Sequence, residues 1–511
     1  MDFVSSLLKG APAATQHTIV ARPLPPGSGG SKLDILTRFK TSHHGRSEKF
    51  NKLIQAYVWE DGVSDLNALV HECMNHGQDD ALRFILERET IKGLCIQGRA
   101  GQEWKSEWQT LCNAIPDNFS LESLTLEEVR GLDSDSGALL FNMLLKMPAL
   151  VELTLRGVEV KGFFDLFTLN PRLPALKSLN VHVKANERLW PLLFEILQAS
   201  RIECLSIKGE LDWSSAHGLD NLWDALGQQE KLHSLRFQVT SYEAVSQPHD
   251  VSPWVAGCAQ FLCGRQSLVE LDMSHCILGI TNGNVLLKAM SNQPLRRLRL
   301  NNCHLFCTEF NTVQLQISPL WSMRLEELDM GKNLLKDATM TPLLMGFKGH
   351  QHLRRLNLNG NIIGSSTVKA LADLFAANKE LVSVLFQTHS HYGYEDSDLE
   401  PLAHVLEAEN TSLLFLDVMP SGYPASAPWS LALELLVKRN RDAFARDRAL
   451  QGLHWLVKNS SPPLPDDVVR LIGSHYVEDL AVKDAQALFL VHPDTSALSI
   501  PDSYLREGWQ G

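Results

Sequence analysis

The 511-residue chain reads as an α/β solenoid, in which short parallel strands alternate with helices in about twelve stacked copies between helical N- and C-terminal caps. Three observations predict this. An apolar pattern recurs from residue 91 to residue 426 at nearly constant spacing. Each copy opens on a period-two apolar run and continues into a helical one. Finally, a chain of this length that is 44% hydrophobic holds more apolar surface than one ordinary compact core accommodates.

The clearest copy is LRRLRLNNCHL, Leu295 to Leu305, which fits L-x-x-L-x-L-x-x-N/C-x-L with Cys303 at position nine. Full matches also start at Leu268 (Cys276 at nine), Leu325 (Asn333) and Leu353 (Asn361). Weaker copies start at Ile91, Leu121, Leu150, Leu176, Ile202, Leu232, Leu381 and Leu413. The start-to-start spacings are 30, 29, 26, 26, 30, 36, 27, 30, 28, 28 and 32 residues. The L-x-L core is a short strand whose alternate residues point inward. An Asn or Cys at position nine bonds loop backbone that is otherwise buried without a partner. Between copies lie helical stretches such as Ser365 to Lys379, where Val368, Leu371, Leu374 and Phe375 share a face and Ser365 or Ser366 is placed to cap the start. No copy buries its own apolar face, so copies stack.

This pattern resembles the ribonuclease-inhibitor type of leucine-rich repeat, with its period of about 28–29 residues. The resemblance covers residues 91–440; the 36-residue copy at Leu232 and the missing Asn or Cys in early copies depart from it. It implies a horseshoe with strands on the concave side, helices on the convex side, and a protein partner bound by exposed strand residues.

The ends read differently. Residues 1–48 form a leader rich in Pro, Gly, Ser and Thr, expected to be disordered. Residues 49–90 carry helical patterns and form the expected N-terminal cap. The C-terminal region, 427–491, begins with helical patterns over Trp429 to Phe444 and Arg448 to Asn459, and 492–511 is a tail. One reading makes this region a helical cap. In the other, residues 464–491 resemble an F-box: Leu464, Pro465, Ile472, Asp479 and Leu480 match its pattern, with Val468 and Leu471 on the same face. Tyr476 replaces the usual Leu, no Trp closes the motif, and the segment follows the repeats. That resemblance implies that Leu464, Pro465, Val468 and Ile472 dock a Skp-type adaptor of a cullin ubiquitin ligase while the repeats choose the substrate.

The net charge of −12 and pI of about 5.9 provide no electrostatic footprint for nucleic acid or anionic lipid. No apolar run approaches the roughly 18 residues of a membrane helix, and the N-terminus lacks a secretory signal pattern. The nine cysteines are odd in number and irregularly spaced, which reads as reduced, buried core thiols in a cytoplasmic protein. Neither a nucleophile elbow, an HExxH pair, a kinase set nor a P-loop is present, so neither an enzyme nor a cofactor is expected. GSGGSK at Gly27 to Lys32 lacks the G-K-S/T order and reads as linker; His389 and His391, with Glu395 and Asp396, lack a complete ligand set. Some bacterial leucine-rich-repeat effectors carry a cysteine-dependent ubiquitin ligase at the C-terminus, but no cysteine follows Cys307 here. The leader joined to such repeats resembles effectors translocated from a bacterium into a host cell.

Candidate contact residues come from strand positions three, five and seven. Position three places Glu270, Arg297, Glu327 and Arg355 in successive copies; position five places Asp272, Arg299, Asp329 and Asn357. With parallel strands about 4.8 Å apart, these columns read either as a self-neutralising ladder or as a charged recognition patch. Leu385, Phe415 and Met419 stand where polar residues are usual, which marks an interface or a face covered by the C-terminal helices.

Overall fold

The computed structural model describes residues 92–98, 108–109, 111–112, 115, 120–130, 132–159, 172–183, 190–211, 219–241, 252–305, 314–388, 394–417 and 428–459. The expected leader, the N-terminal cap, the F-box-like segment, Met419, His389, His391 and the GSGGSK stretch lie outside these residues. The chain divides into two compact units between Leu325 and Glu326.

In the first unit the strands are β1 (Gly93–Gln97), β2 (Ser123–Glu127), β3 (Glu152–Arg156), β4 (Ser178–Val183), β5 (Cys204–Leu211), β6 (Ser234–Ser241), β7 (Glu270–Asp272) and β8 (Arg297–Arg299). Each pairs in parallel with the next. Between strands run α1 (Ser134–Leu145), α2 (Trp190–Ala199), α3 (Leu219–Gly227), α4 (Ser252–Cys263) and α5 (Gly279–Met290), and α6 (Ser318–Ser322) follows β8. The register aligns the repeat leucines: Leu94, Leu124, Leu153, Leu179, Leu205, Leu235, Leu271 and Leu298 form one buried row. Period-two alternation thus sends every leucine toward the helices and leaves the opposite sheet face to positions three and five.

The second unit repeats the plan with β9 (Glu327–Asp329), β10 (Arg355–Asn357), β11 (Ser383–Leu385) and β12 (Phe415–Asp417), again parallel in chain order. Its helices are α7 (Asp337–Gly346), α8 (Ser365–Ala377), α9 (Glu400–Ala408) and α10 (Pro428–Asn459). Val368, Leu371, Leu374 and Phe375 of α8 are fully buried, as the helical spacing predicts. Parallel strands in chain order alternating with helices make each unit an α/β solenoid of the leucine-rich-repeat kind. Among the described residues, no helix is long and apolar enough to cross a membrane.

Three expectations are corrected. The start of α8 is not capped by Ser365 or Ser366: the N-cap residue is Gly364, and the acceptor is Asp337 of the preceding copy, bonded by the Gly364 N–H (2.7 Å), the Thr367 hydroxyl (2.6 Å) and the Ser366 hydroxyl. Asp396 serves α10 the same way, accepting from the N–H groups of Trp429 and Ser430 at 3.0 Å. The two helices expected over 429–459 are one, because Ala445 to Asp447 hold no Gly or Pro to stop it. The thiols are free but not all buried: Cys95 and Cys204 occupy open-face strand positions and are half-buried, and Cys263 ends α4 exposed.

Two ladders of side-chain amides and thiols hold the copies. At position nine, the Asn361 Oδ1 accepts from the N–H groups of Asn333 (3.2 Å) and Leu335 (3.0 Å), while its Nδ2 donates to the carbonyls of Met330 (3.0 Å) and Leu358 (2.7 Å). In the first unit the Cys276 thiol donates to the Phe237 carbonyl and Cys303 to that of Met273. A second ladder stands where helices end. Asn378 donates to the Phe347 and His350 carbonyls and accepts from the N–H groups of Glu380 and Leu381. Asn410 repeats this with Phe375, Asn378, Ser412 and Leu413. In the first unit Gln229 donates to the Leu197 carbonyl and accepts from the Ile202 N–H, whereas Gln293 only donates, to the Leu262 carbonyl. Asn440 still donates to the Asn410 and Leu413 carbonyls, but its oxygen accepts from Arg439. At that point α10 continues instead of turning into another strand.

Candidate functional site

The open sheet face of the first unit carries the densest charge near β6, β7 and β8. Register places Arg236, Asp272 and Arg299 side by side in one column and Ser234, Glu270 and Arg297 in the next. The Glu270 carboxylate is the hub. Arg236 and Arg299 each reach it at 3.3 Å, Arg297 at 3.8 Å, and the Ser234 hydroxyl donates at 3.2 Å. Asp272 takes the Gln238 amide at 2.7 Å and lies 3.8 Å from Arg299. Glu270 and Asp272 are only 4% and 2% exposed, so the guanidinium groups lie over the carboxylates, and what faces solvent is the cationic layer. Among the described residues, three arginines thus surround two carboxylates on this patch.

The second unit is built from the same positions with another outcome. Arg355 clasps Glu327 through two nitrogens at 2.8 and 3.1 Å from one carboxylate oxygen. Asp329 accepts from the Gly331 N–H at 2.9 Å, as Asp272 does from Ser274 and Asn357 from Asn359. These position-five side chains therefore close the turn after their own strand, an Asx-type bond. Glu327 and Asp329 are buried. Leu385 and Phe415 stand on the same face, half-buried, with Asp417 bonded to the Gln387 amide at 2.8 and 2.9 Å.

The structure thus gathers Glu270, Arg297 and Arg299 into one cluster and pairs Glu327 with Arg355. It sets Leu385 opposite Asp417 and Phe415 opposite Ser383 on the last two strands. Met419, Leu464, Pro465, Val468 and Ile472 fall outside the described residues. Sequence reasoning missed Arg236, whose copy is separated from the next by the longest spacing. It also missed the helix-end amides, although Gln229, Asn378 and Asn410 each stand three residues before a copy's first leucine and Gln293 two before. Among the described residues no group of three His, Cys, Asp or Glu side chains is placed to hold a metal ion. Burial pushes the thiols of Cys112 and Cys276 up to about 12, so neither is a ready nucleophile.

No family model matches the chain, and no curated protein does. Among solved structures, it is similar to the leiomodin-1 actin-binding site 2, at 17% identity and a TM-score of 0.26 over 31% of this chain and 88% of that one. It is similar to TLR13 in its complex with ssRNA13, at 15% identity and a TM-score of 0.37 over 67% of this chain and 55% of that one. A protein from Bacteroides fragilis aligns at 12% identity and a TM-score of 0.27, covering 69% and 73%. The fold assignment rests on the chain's own strand register and on the side-chain ladders between its copies.

Proposed function

We propose that the chain is a protein-recognition module whose partner engages the open sheet face, at Glu270, Arg297 and Arg299 in the first unit and at Glu327, Asp329, Arg355, Leu385, Phe415 and Met419 in the second. The observation that carries this reading is the Glu270 hub. Arg236 and Arg299 are hydrogen-bonded to one buried carboxylate and Arg297 stands 3.8 Å from it, so the first two have little rotamer freedom left for a partner to freeze. Arginine on a rigid support is also the residue type enriched at binding hot spots. The test is capture from a eukaryotic lysate with the full chain beside an Arg297→Ala/Leu385→Asp variant of unchanged melting temperature. The expected result is loss of the partner from the variant; identical prey at identical yield would refute the open-face reading.

The finer assignments rest on sequence resemblance. In the adaptor reading, Leu464, Pro465, Val468 and Ile472 bind a Skp-type adaptor, which a chain ending at Asn459 loses together with the cullin. In the effector reading, the protein is translocated into a host cytoplasm, and a reporter fused to residues 1–50 leaves the bacterium through a dedicated secretion system. Retention of that reporter removes the second reading.

A further inference from the structure

We propose that a groove on the helix side of the first unit is a separate docking site, one that takes a basic side chain, together with its neighbouring main-chain carbonyl, from a partner protein. The groove encloses about 910 Å³ between α3 and α4 and the turns that follow them, and its walls include Trp223, Asp224, Glu230, Gly257, Phe261 and Arg265. Its floor is rigid. The Trp223 and Phe261 rings lie 5.6 Å apart, and Trp254 and Phe237 pack beneath Trp223 at 5.5 and 5.9 Å. Glycine keeps it open: a Cβ at Gly227 or Gly264 would meet nothing within 4 Å, so both positions border empty space.

The charge of the groove is negative. Asp224 and Glu230 are exposed and form no ion pair among the described residues. Arg265, the cation of the wall, is committed elsewhere. It donates to the carbonyls of Leu226 and Gly227, which end α3, and of Gln229 in the turn that follows, and its guanidinium rests 4.8 Å above the Phe261 ring. It reaches Glu230 only at longer range. Both α3 and α4 end at this groove; Arg265 occupies the carbonyls of the α3 end, and the α4 C-terminus adds its partial negative charge. The carboxylates and the α4 end together favour a guanidinium or ammonium group.

An independent observation selects a peptide over a free cation. Trp223 is 5% exposed, and its indole N–H has no hydrogen-bond acceptor. The indole edge bearing that N–H abuts Gly257, where a Cβ would lie 2.7 Å from Cδ1 and 3.4 Å from Nε1. A buried donor without an acceptor is costly. A small shift of the ring on the side-chain-free wall at Gly257 opens the N–H to an incoming carbonyl. A metal ion or free amine supplies the positive charge but no acceptor, whereas a peptide carries both.

The experiment uses the full chain and a short peptide bearing one arginine beside a photoreactive diazirine, with the citrulline form of the same peptide as the neutral control. Cross-links are mapped by mass spectrometry. The expected sites are residues 223–230 and 257–267, with half-saturation weakened at least about fivefold by citrulline or by Asp224→Asn/Glu230→Gln, the size set by two partly exposed charge pairs. Gly264→Leu, which fills open space without altering charge, abolishes the same cross-links. Arg297→Ala/Leu385→Asp leaves them unchanged, so the groove stands or falls separately from the open face. Equal labelling by the citrulline peptide, or cross-links confined to other surfaces, overturns the proposal. Labelling that appears only after residues 1–50 are removed also overturns it, because the chain's own basic leader is then the occupant.

Discussion

The copies at Leu176, Ile202 and Leu232 and those at Leu268, Leu295, Leu325 and Leu353 follow the same leucine pattern yet form different strands. The first group builds β4, β5 and β6, of 6, 8 and 8 residues; the second builds β7 to β10, of 3 residues each. The difference lies at position eight. In the short-strand copies that residue turns left-handed, with φ of 69° at His275, 55° at Asn302, 54° at Lys332 and 71° at Gly360. The chain then folds over the core, and position nine (Cys276, Cys303, Asn333 or Asn361) points inward to bond main-chain carbonyls. In the long-strand copies Val183, Gly209 and Val239 occupy position eight inside the strand, and β5 runs on through Gly209 even though its φ is 133°. Glu128 and Gly157 also turn left-handed, at 51° and 61°, but there position nine is a buried valine, Val129 or Val158. A left-handed turn at position eight, with φ between 51° and 71°, thus keeps the strand from running on, and the polar ladder follows only where position nine can bond.

Asn361→Ala is expected to have the largest effect. It strips acceptors from the N–H groups of Asn333 and Leu335 and a donor from the carbonyls of Met330 and Leu358. With buried unpaired groups costing about 1–3 kcal/mol each and some relaxation allowed, the loss is about 4 kcal/mol. Cys303→Ala deletes one thiol that donates to Met273, with a weaker contact to the Asn301 carbonyl, and should cost about 1–2 kcal/mol. Urea midpoints of the two variants test this; equal losses would mean that position nine acts by filling volume rather than by bonding.

Position eight provides a test with opposite signs. Val239→Gly removes a side chain that is 1% exposed from an extended backbone and should destabilise by about 3 kcal/mol. Lys332→Gly relieves a left-handed lysine and should stabilise by about 0.5–1 kcal/mol. Thermal melts of the pair decide it. A loss in both variants would remove the turn at position eight as the cause of strand length.

Much of this was legible in the sequence because it is local. The repeat cores locate the twelve strands found among the described residues, and the spacing of Val368, Leu371, Leu374 and Phe375 identifies the buried face of α8. What stayed hidden depends on residues one copy apart. Asp337 caps a helix that begins 28 residues later, and Asp396 one that begins 32 residues later. Gln229 bonds backbone of the preceding copy. For the candidate site, the alternation of Glu270 with Arg297 was readable, but the burial of the carboxylates beneath the arginines was not. That arrangement depends on which way long side chains lean between adjacent strands, and Arg236 enters it only through strand register.

Alkaline pH separates thiol ladders from amide ladders, since an amide has no proton to lose. The Cys276 thiol is neutral when protonated, and burial favours that form, so its proton leaves at about 12 in the folded chain against 9.0 ordinarily. The stabilising contribution is complete below pH 9.0 and is lost progressively as pH rises from there toward about 12, because the unfolded chain gives up its proton first. From pH 8 to pH 10 the loss is on the order of 1 kcal/mol, within the 1.36 kcal/mol that one unit represents. Urea midpoints of the natural chain and Cys276→Ala across this window isolate the effect, since the two chains differ only at this thiol. The natural chain should lose stability more steeply. Parallel slopes would mean that the Cys276 thiolate is accommodated where it stands, and that the bond to the Phe237 carbonyl matters less to this copy than its burial does.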